Sequence, residues 1–203
     1  MYKIIQKMYK IINKGKEKIL ESFYKNRKEL YFSEILRETK LTPNTTLKHL
    51  NNLKDLIISN KTKGNTFYKI NNKNLQIFSV FSYFDYKRFN ELDNTRKRAI
   101  SEFIENLKIK PLIILVFGST AKKTYTKKSD IDILLIYNKK EEEDKKLKKD
   151  IESTTGMNIQ PFIIDYDYFK EQLLKKEDNL IIHAVKTGFV VLGSYYFYKE
   201  VLK

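Results

Sequence analysis

The sequence predicts an α/β (α+β) chain in two parts: a small helical unit closed by a β-hairpin, then a mixed sheet with flanking helices. Three observations carry this. Positive charge gathers in the first third, where residues 1–75 hold 17 Lys/Arg against 6 Asp/Glu, whereas residues 111–203 hold 16 against 14. Thr42-Pro43 opens an amphipathic helix, and two β-rich runs follow it around Lys63-Gly64-Asn65. After Pro111, apolar runs of strand length alternate with helical patterns, the order of a layered α/β unit.

Taken in order, residues 1–14 place Met1, Ile4, Ile5, Met8, Ile11 and Ile12 at helical spacing, with a strand as the alternative. A helix follows over Lys16–Lys25, with Ile19, Leu20 and Phe23 on one face. The next starts near Ser33, an N-cap residue with Glu34 in the favoured first turn. Thr42 caps the helix after that and Pro43 suits its first position. Along it Leu47, Leu50 and Leu53 are expected in the core, with Asn44, Thr45, Lys48, Asn51 and Asn52 outside. Strands at Leu56–Asn60 and Thr66–Ile70 flank a turn, because Gly and Asn tolerate positive φ. Residues 76–95 read as a connector, and Leu92–Leu107 as a long helix. Strands are then expected at Leu112–Phe117, Asp130–Tyr137, Ile159–Ile164 and Phe189–Leu192. Helices are expected at Thr120–Tyr125, Glu141–Thr154, near Tyr166–Lys176, at Asn179–Lys186 and at Ser194–Leu202.

Composition excludes several classes. There is no cysteine, so disulfides, thiolate metal sites and cysteine nucleophiles are out. Two histidines are too few for a multi-histidine zinc site. No apolar run approaches the roughly 18 residues that span a bilayer. The N-terminal lysines Lys3, Lys7 and Lys10 interrupt any signal-peptide core, so a cytoplasmic protein without a membrane partner is expected. The net charge of +15, weighted to the N-terminal third, suits a polyanion.

Helix, helix, short turn, helix, basic hairpin is the order of a winged helix-turn-helix, which residues 15–71 resemble. That resemblance implies DNA binding by a domain at 1–75. Asn44, Thr45 and Lys48 would lie in the major groove, with Lys61 and Lys63 on the phosphates. Winged helices meeting paired half-sites imply a homodimer.

The chemistry-bearing stretch is Leu115–Leu135, LVFGSTAKKTYTKKSDIDILL. A buried strand runs into Gly118-Ser119, where glycine permits a tight turn and a helix start presents free N–H groups to a phosphate. Ten residues beyond Ser119, Asp130 and Asp132 stand two apart at the head of the next strand, on one face, where two carboxylates can share a hard divalent cation. Gly-Ser, ten residues, Asp-x-Asp resembles the nucleotidyltransferase superfamily that includes DNA polymerase beta, and most of all its minimal nucleotidyltransferases. The likeness spans roughly 95–200, here taken as a domain at 96–203. Ala121-Lys122 stands where the family often has Ala-Arg, Ser129 matches its usual serine, and Lys123 replaces a frequent glycine.

The resemblance implies transfer of a nucleoside monophosphate from an NTP, ATP foremost, to a hydroxyl. Asp130 and Asp132 would hold Mg²⁺, while Gly118, Ser119, Lys122 and Ser129 would bind the nucleotide. A protein acceptor or a toxin partner is implied by family roles. The family's third carboxylate falls on the strand after, where Gln160 or Asn158 stands; Asp165 fills the role only if that strand shifts in register. The alternative function is therefore a transcription regulator that senses nucleotide without transferring it. His183 and Tyr195, Tyr196 and Tyr198 read as packing residues.

Overall fold

The computed structural model describes residues 13–62, 64–139 and 141–203. The stripe expected over residues 1–12 and the DNA candidate Lys63 lie outside the described residues. The chain divides into two compact units, a first that ends at Phe84 and takes in Leu202–Lys203, and a second over Asp85–Val201. No helix among the described residues is long and apolar enough to cross a membrane.

In the first unit, α1 (Lys14–Asn26) starts where Asn13 Oδ1 accepts from Lys16 N at 3.0 Å. Strand β1 (Leu30–Tyr31) leads into α2 (Phe32–Thr39), which begins one residue before Ser33. The N-cap of α2 is Tyr31, whose N–H donates to Glu34 Oε2 at 2.8 Å, so Ser33 has no capping task. Thr42 caps α3 (Pro43–Asn52), with Oγ1 accepting from Thr45 N at 3.3 Å. Strands β2 (Ile57–Thr62) and β3 (Asn65–Ile70) form the hairpin, turning through Gly64 at φ 94°. The sheet is antiparallel in the order β1-β3-β2.

Leu47 departs from expectation: it is 43% exposed, while Thr46, Leu50 and Leu53 are buried. The three leucines span an arc of about 120° on a helix advancing about 100° per residue. Leu47 lies at the edge of that arc, and the face centred on Thr46, Leu50 and Leu53 packs inward.

The segment expected as a connector holds α4 (Gln76–Asn90). Its buried residues Ile77, Phe78, Val80, Phe81, Phe84 and Asp85 cover a broad arc rather than a narrow stripe, which blurs the helical period. Its aromatic and β-branched residues also carry weak helix propensity. The division between the two units falls within it.

The second unit is a four-stranded sheet in the order β6-β5-β4-β7. It runs through α5 (Asn94–Asn106), β4 (Ile113–Val116), α6 (Gly118–Lys122), β5 (Ile131–Tyr137), α7 (Lys145–Thr155) and β6 (Ile159–Asp165). It closes with α8 (Tyr166–Lys175), α9 (Asn179–Thr187), β7 (Phe189–Leu192) and α10 (Ser194–Val201). β5 pairs parallel with β6, and β4 antiparallel with β5 and β7. α7 starts later than expected because Asp144 Oδ1 accepts from Leu147 N and caps it, leaving the acidic run ahead of the first turn.

Alternation along β5 sorts the layers. Ile131, Ile133, Leu135 and Tyr137 join the core cluster with Ala99, Ile100 and Phe103 of α5 and Leu147 and Ile151 of α7. Asp132, Leu134 and Ile136 therefore face the opposite side. On that side Tyr198, fully buried, donates its hydroxyl to both carboxylate oxygens of Asp85 (2.9 and 2.8 Å), while Tyr195 and Tyr196 are exposed.

Candidate nucleotide and metal site

Four apolar, fully buried residues, Ile113–Val116, make β4 a central strand. Its pairing continues one residue further, where Phe117 N donates to Asp132 O at 3.0 Å. The chain then turns at Gly118, whose φ is +65°, a conformation other residues adopt at a cost. α6 starts at that glycine, two residues earlier than expected, and is capped at its C-terminal end by Lys123 with φ +58°. Lys123 thus holds the left-handed position where the resembled family often carries glycine. Its ammonium pairs with Glu91.

The two halves of the motif touch. A Cβ added at Gly118 would run into Asp132 Oδ2 and lie 2.9 Å from Asp132 Cγ. The missing side chain is what allows the carboxylate to rest against the turn. Asp130 stands exposed at the entry to β5, and Asp132 is half-buried on the same side. Burial foremost, then the Asp130 charge, pushes the Asp132 carboxyl above its usual range, while His183 pulls it down. Such an electrostatic arrangement fits a hard cation: two like charges side by side, one desolvated, with a single imidazole as partial compensation. Among the described residues no group of three or more His, Cys, Asp or Glu is placed to hold a metal. Two carboxylates, Asp130 and Asp132, are the groups that could hold a hard divalent cation here.

Register fixes the third position. Asp132 pairs with Gln160 across the parallel β5–β6 ladder, so the two side chains are same-face neighbours about 4.8 Å apart. Gln160 Oε1 accepts from Lys148 Nζ at 3.2 Å. Asn158 precedes β6, with its carbonyl accepting from Ile131 N at 2.9 Å. Asp165 pairs with Tyr137 at the other end of the ladder and caps α8, its Oδ1 accepting from Tyr168 N at 2.7 Å. The in-register pairing removes Asp165 from the site.

Ser119 is half-buried beside the turn and Lys122 is exposed. The Ser129 hydroxyl closes a local turn, accepting from Thr126 N at 2.9 Å. His183 of α9 lies against Phe117, with ring centroids 6.4 Å apart, and Phe117 also meets Phe162 of β6 at 5.5 Å. His183 therefore borders the Asp pair as well as packing. Of the DNA candidates, Asn44, Lys48 and Lys61 are exposed and Thr45 is half-buried, its N–H and hydroxyl engaged with Thr42.

Sequence reasoning missed Arg96. It is 1% exposed, and its guanidinium donates to Thr120 Oγ1 (3.1 Å), Thr126 O (2.8 Å) and Ser129 O (2.9 Å). It lies 4.1 Å from the Tyr125 ring centroid, with Asp93 Oδ2 at 3.5 Å from Nε. One buried cation thus ties α6 to the loop that delivers Asp130. The signal was present: Arg96 falls on the apolar stripe of Leu92, Ala99, Ile100 and Phe103, where a charge must find partners. Arg96→Met keeps the volume and strands Thr126 O and Ser129 O. Nucleotide affinity measured by calorimetry on folded variant is expected to fall about tenfold or more, with Arg96→Lys recovering part. Unchanged affinity would show that the loop holds itself.

The family model for the nucleotidyltransferase domain matches residues 96–187. That span contains Gly118, Ser119, Asp130, Asp132, Gln160 and His183. No curated protein and no solved structure matches the chain.

Proposed function

We propose that the domain at 96–187 binds an NTP with Mg²⁺, ATP foremost, and transfers its nucleoside monophosphate to a hydroxyl, on a chain whose first unit is a winged helix that binds DNA. The observation that carries the nucleotide half is the packing of the Asp132 carboxylate onto the Gly118 turn, which supports a single locus for phosphates and metal. In this reading the Gly118-Ser119 turn receives the β- and γ-phosphates, and Lys122 neutralises phosphate charge. Asp130 and Asp132 hold the metal. Mg²⁺ supplies charge stabilisation at the transferring phosphoryl group. The strand and helix order of the first unit and its excess of lysine support the DNA half.

Gln160 favours a second reading, in which the domain binds nucleotide and does not transfer it. An amide is neutral and a poor base, and here its oxygen accepts from Lys148. A second cation would lack the carboxylate that normally bridges to it. One experiment separates the readings. The full chain is incubated with Mg²⁺ and ATP labelled on the α-phosphate, with itself and lysate proteins as acceptors. Label on protein that is lost in the Asp130→Ala/Asp132→Ala variant establishes transfer. If wild type binds ATP without transferring, Gln160→Asp is expected to raise transfer by at least about a hundredfold, within the range for one transition-state electrostatic contact. No ATP binding by wild type would refute both readings.

A further inference from the structure

We propose that the outward face of α3 reads A·T base pairs in the major groove, with Leu47 against the thymine methyl and Asn44 and Asn51 on adenine edges. This rests on the DNA-binding reading of the first unit and specifies its sequence class. At about 100° per residue, Asn44, Leu47, Lys48 and Asn51 fall within one arc of about 100°. All four are exposed. The inward face is taken by Thr46, Leu50 and Leu53.

The chemistry of that face is narrow. It carries two amides, one aliphatic side chain and one ammonium, with no carboxylate and no guanidinium. Guanine is read by Arg or Lys and cytosine by a carboxylate; the face offers no guanidinium and no carboxylate, and its one ammonium, Lys48, stands at the edge of the arc against two carboxamides nearer its middle, so groups that match adenine outnumber those that match guanine. Adenine presents N7 and N6–H₂, which match the acceptor and donor of a carboxamide. Thymine presents a methyl group, the one apolar feature in the groove. Leu47, 43% exposed, is the one aliphatic side chain in an arc otherwise made of two amides and a lysine, which suits a base methyl. Lys48 on the same face and exposed Lys61 on β2 supply charge for phosphates.

The test uses the full chain and fluorescence anisotropy at moderate salt. Its probes are an alternating dA·dT duplex, a dG·dC duplex of equal length, and the first duplex with deoxyuridine replacing thymidine, which deletes only the methyl group. Wild type is expected to favour dA·dT over dG·dC by about tenfold. It should lose about three- to fivefold on deoxyuridine substitution, as one methyl contact predicts. Leu47→Ala, a surface change whose folding is checked by thermal melting, should bind the thymidine and deoxyuridine duplexes equally, and Asn51→Ala should reduce the dA·dT preference. Salt-sensitive binding that ignores both base composition and the methyl group would overturn this inference and leave the DNA-binding reading standing. Absence of binding to any duplex would overturn both.

Discussion

Gly118→Ala is expected to lower nucleotide affinity by about a hundredfold or more while leaving a folded protein. Two costs add at this residue. The first is conformational: at φ +65° an alanine pays about 1–2 kcal/mol for the left-handed region. The second is steric and specific to the site, because the new Cβ would occupy the space of Asp132 Oδ2. The carboxylate must rotate away or the turn must open, and either separates the acid pair from the phosphate turn. Gly156 provides the control. Its φ is +69°, nearly the same, and a Cβ there meets nothing within 4 Å. Gly156→Ala therefore carries the backbone cost alone, and it should lose about 1–2 kcal/mol of stability with normal ATP binding. Urea unfolding and calorimetric ATP titration of both variants measure the difference. Equal ATP affinity in the two would mean that the contact between glycine and carboxylate is incidental.

The Gly118–Asp132 contact also shows what the sequence discloses and what it conceals. The spacing of ten residues implied a turn, a short helix and a return strand, because β4 and β5 are apolar runs bounded by glycine and aspartate. It gave no direct sign that the two motifs touch, since that depends on the antiparallel β4–β5 pairing continuing to Phe117 and Asp132. Gln160 was legible as the problem residue, and only the parallel register of β5 with β6 set it beside Asp132 and sent Asp165 to the far end. α4 is hard to see in the sequence because its aromatic residues are buried over so broad an arc that no stripe stands out. Leu47 was misassigned because a leucine every third residue fits two rotations of the same helix, and the choice between them is made by packing. Arg96 stands outside the Gly-Ser and Asp-x-Asp motif, and its one sign in the sequence is a charge within the apolar stripe of Leu92, Ala99, Ile100 and Phe103.

Asp132→Asn is expected to move stability and ligand binding in opposite directions. In the folded chain burial and Asp130 keep the Asp132 carboxyl protonated to higher pH than in the unfolded chain. Between the ordinary carboxylate range and that raised value, the folded state binds more protons than the unfolded state, so stability falls as pH rises through the window. Above the window Asp132 is ionised in both states and the full penalty is present. Asparagine has no charge to desolvate or to repel Asp130, so without metal the variant should be more stable than wild type near neutral pH. The gap should close as pH drops below the ordinary carboxylate range, where wild-type Asp132 is neutral in both states.

Divalent metal reverses the order. A cation that binds only the folded state stabilises by about 2.7 kcal/mol at a concentration one hundred times its Kd. Wild type should therefore gain thermal stability on addition of Mg²⁺ with ATP, and Asp132→Asn, with one carboxylate left at the site, should gain little. Urea midpoints measured across pH with and without Mg²⁺–ATP give four curves whose crossing is the readout. A variant less stable than wild type at neutral pH without metal, or equally stabilised by Mg²⁺–ATP, would remove Asp132 from the metal site. The cost that burial and the Asp130 carboxylate impose on Asp132 in the unliganded fold, offset in part by His183, would then need another purpose.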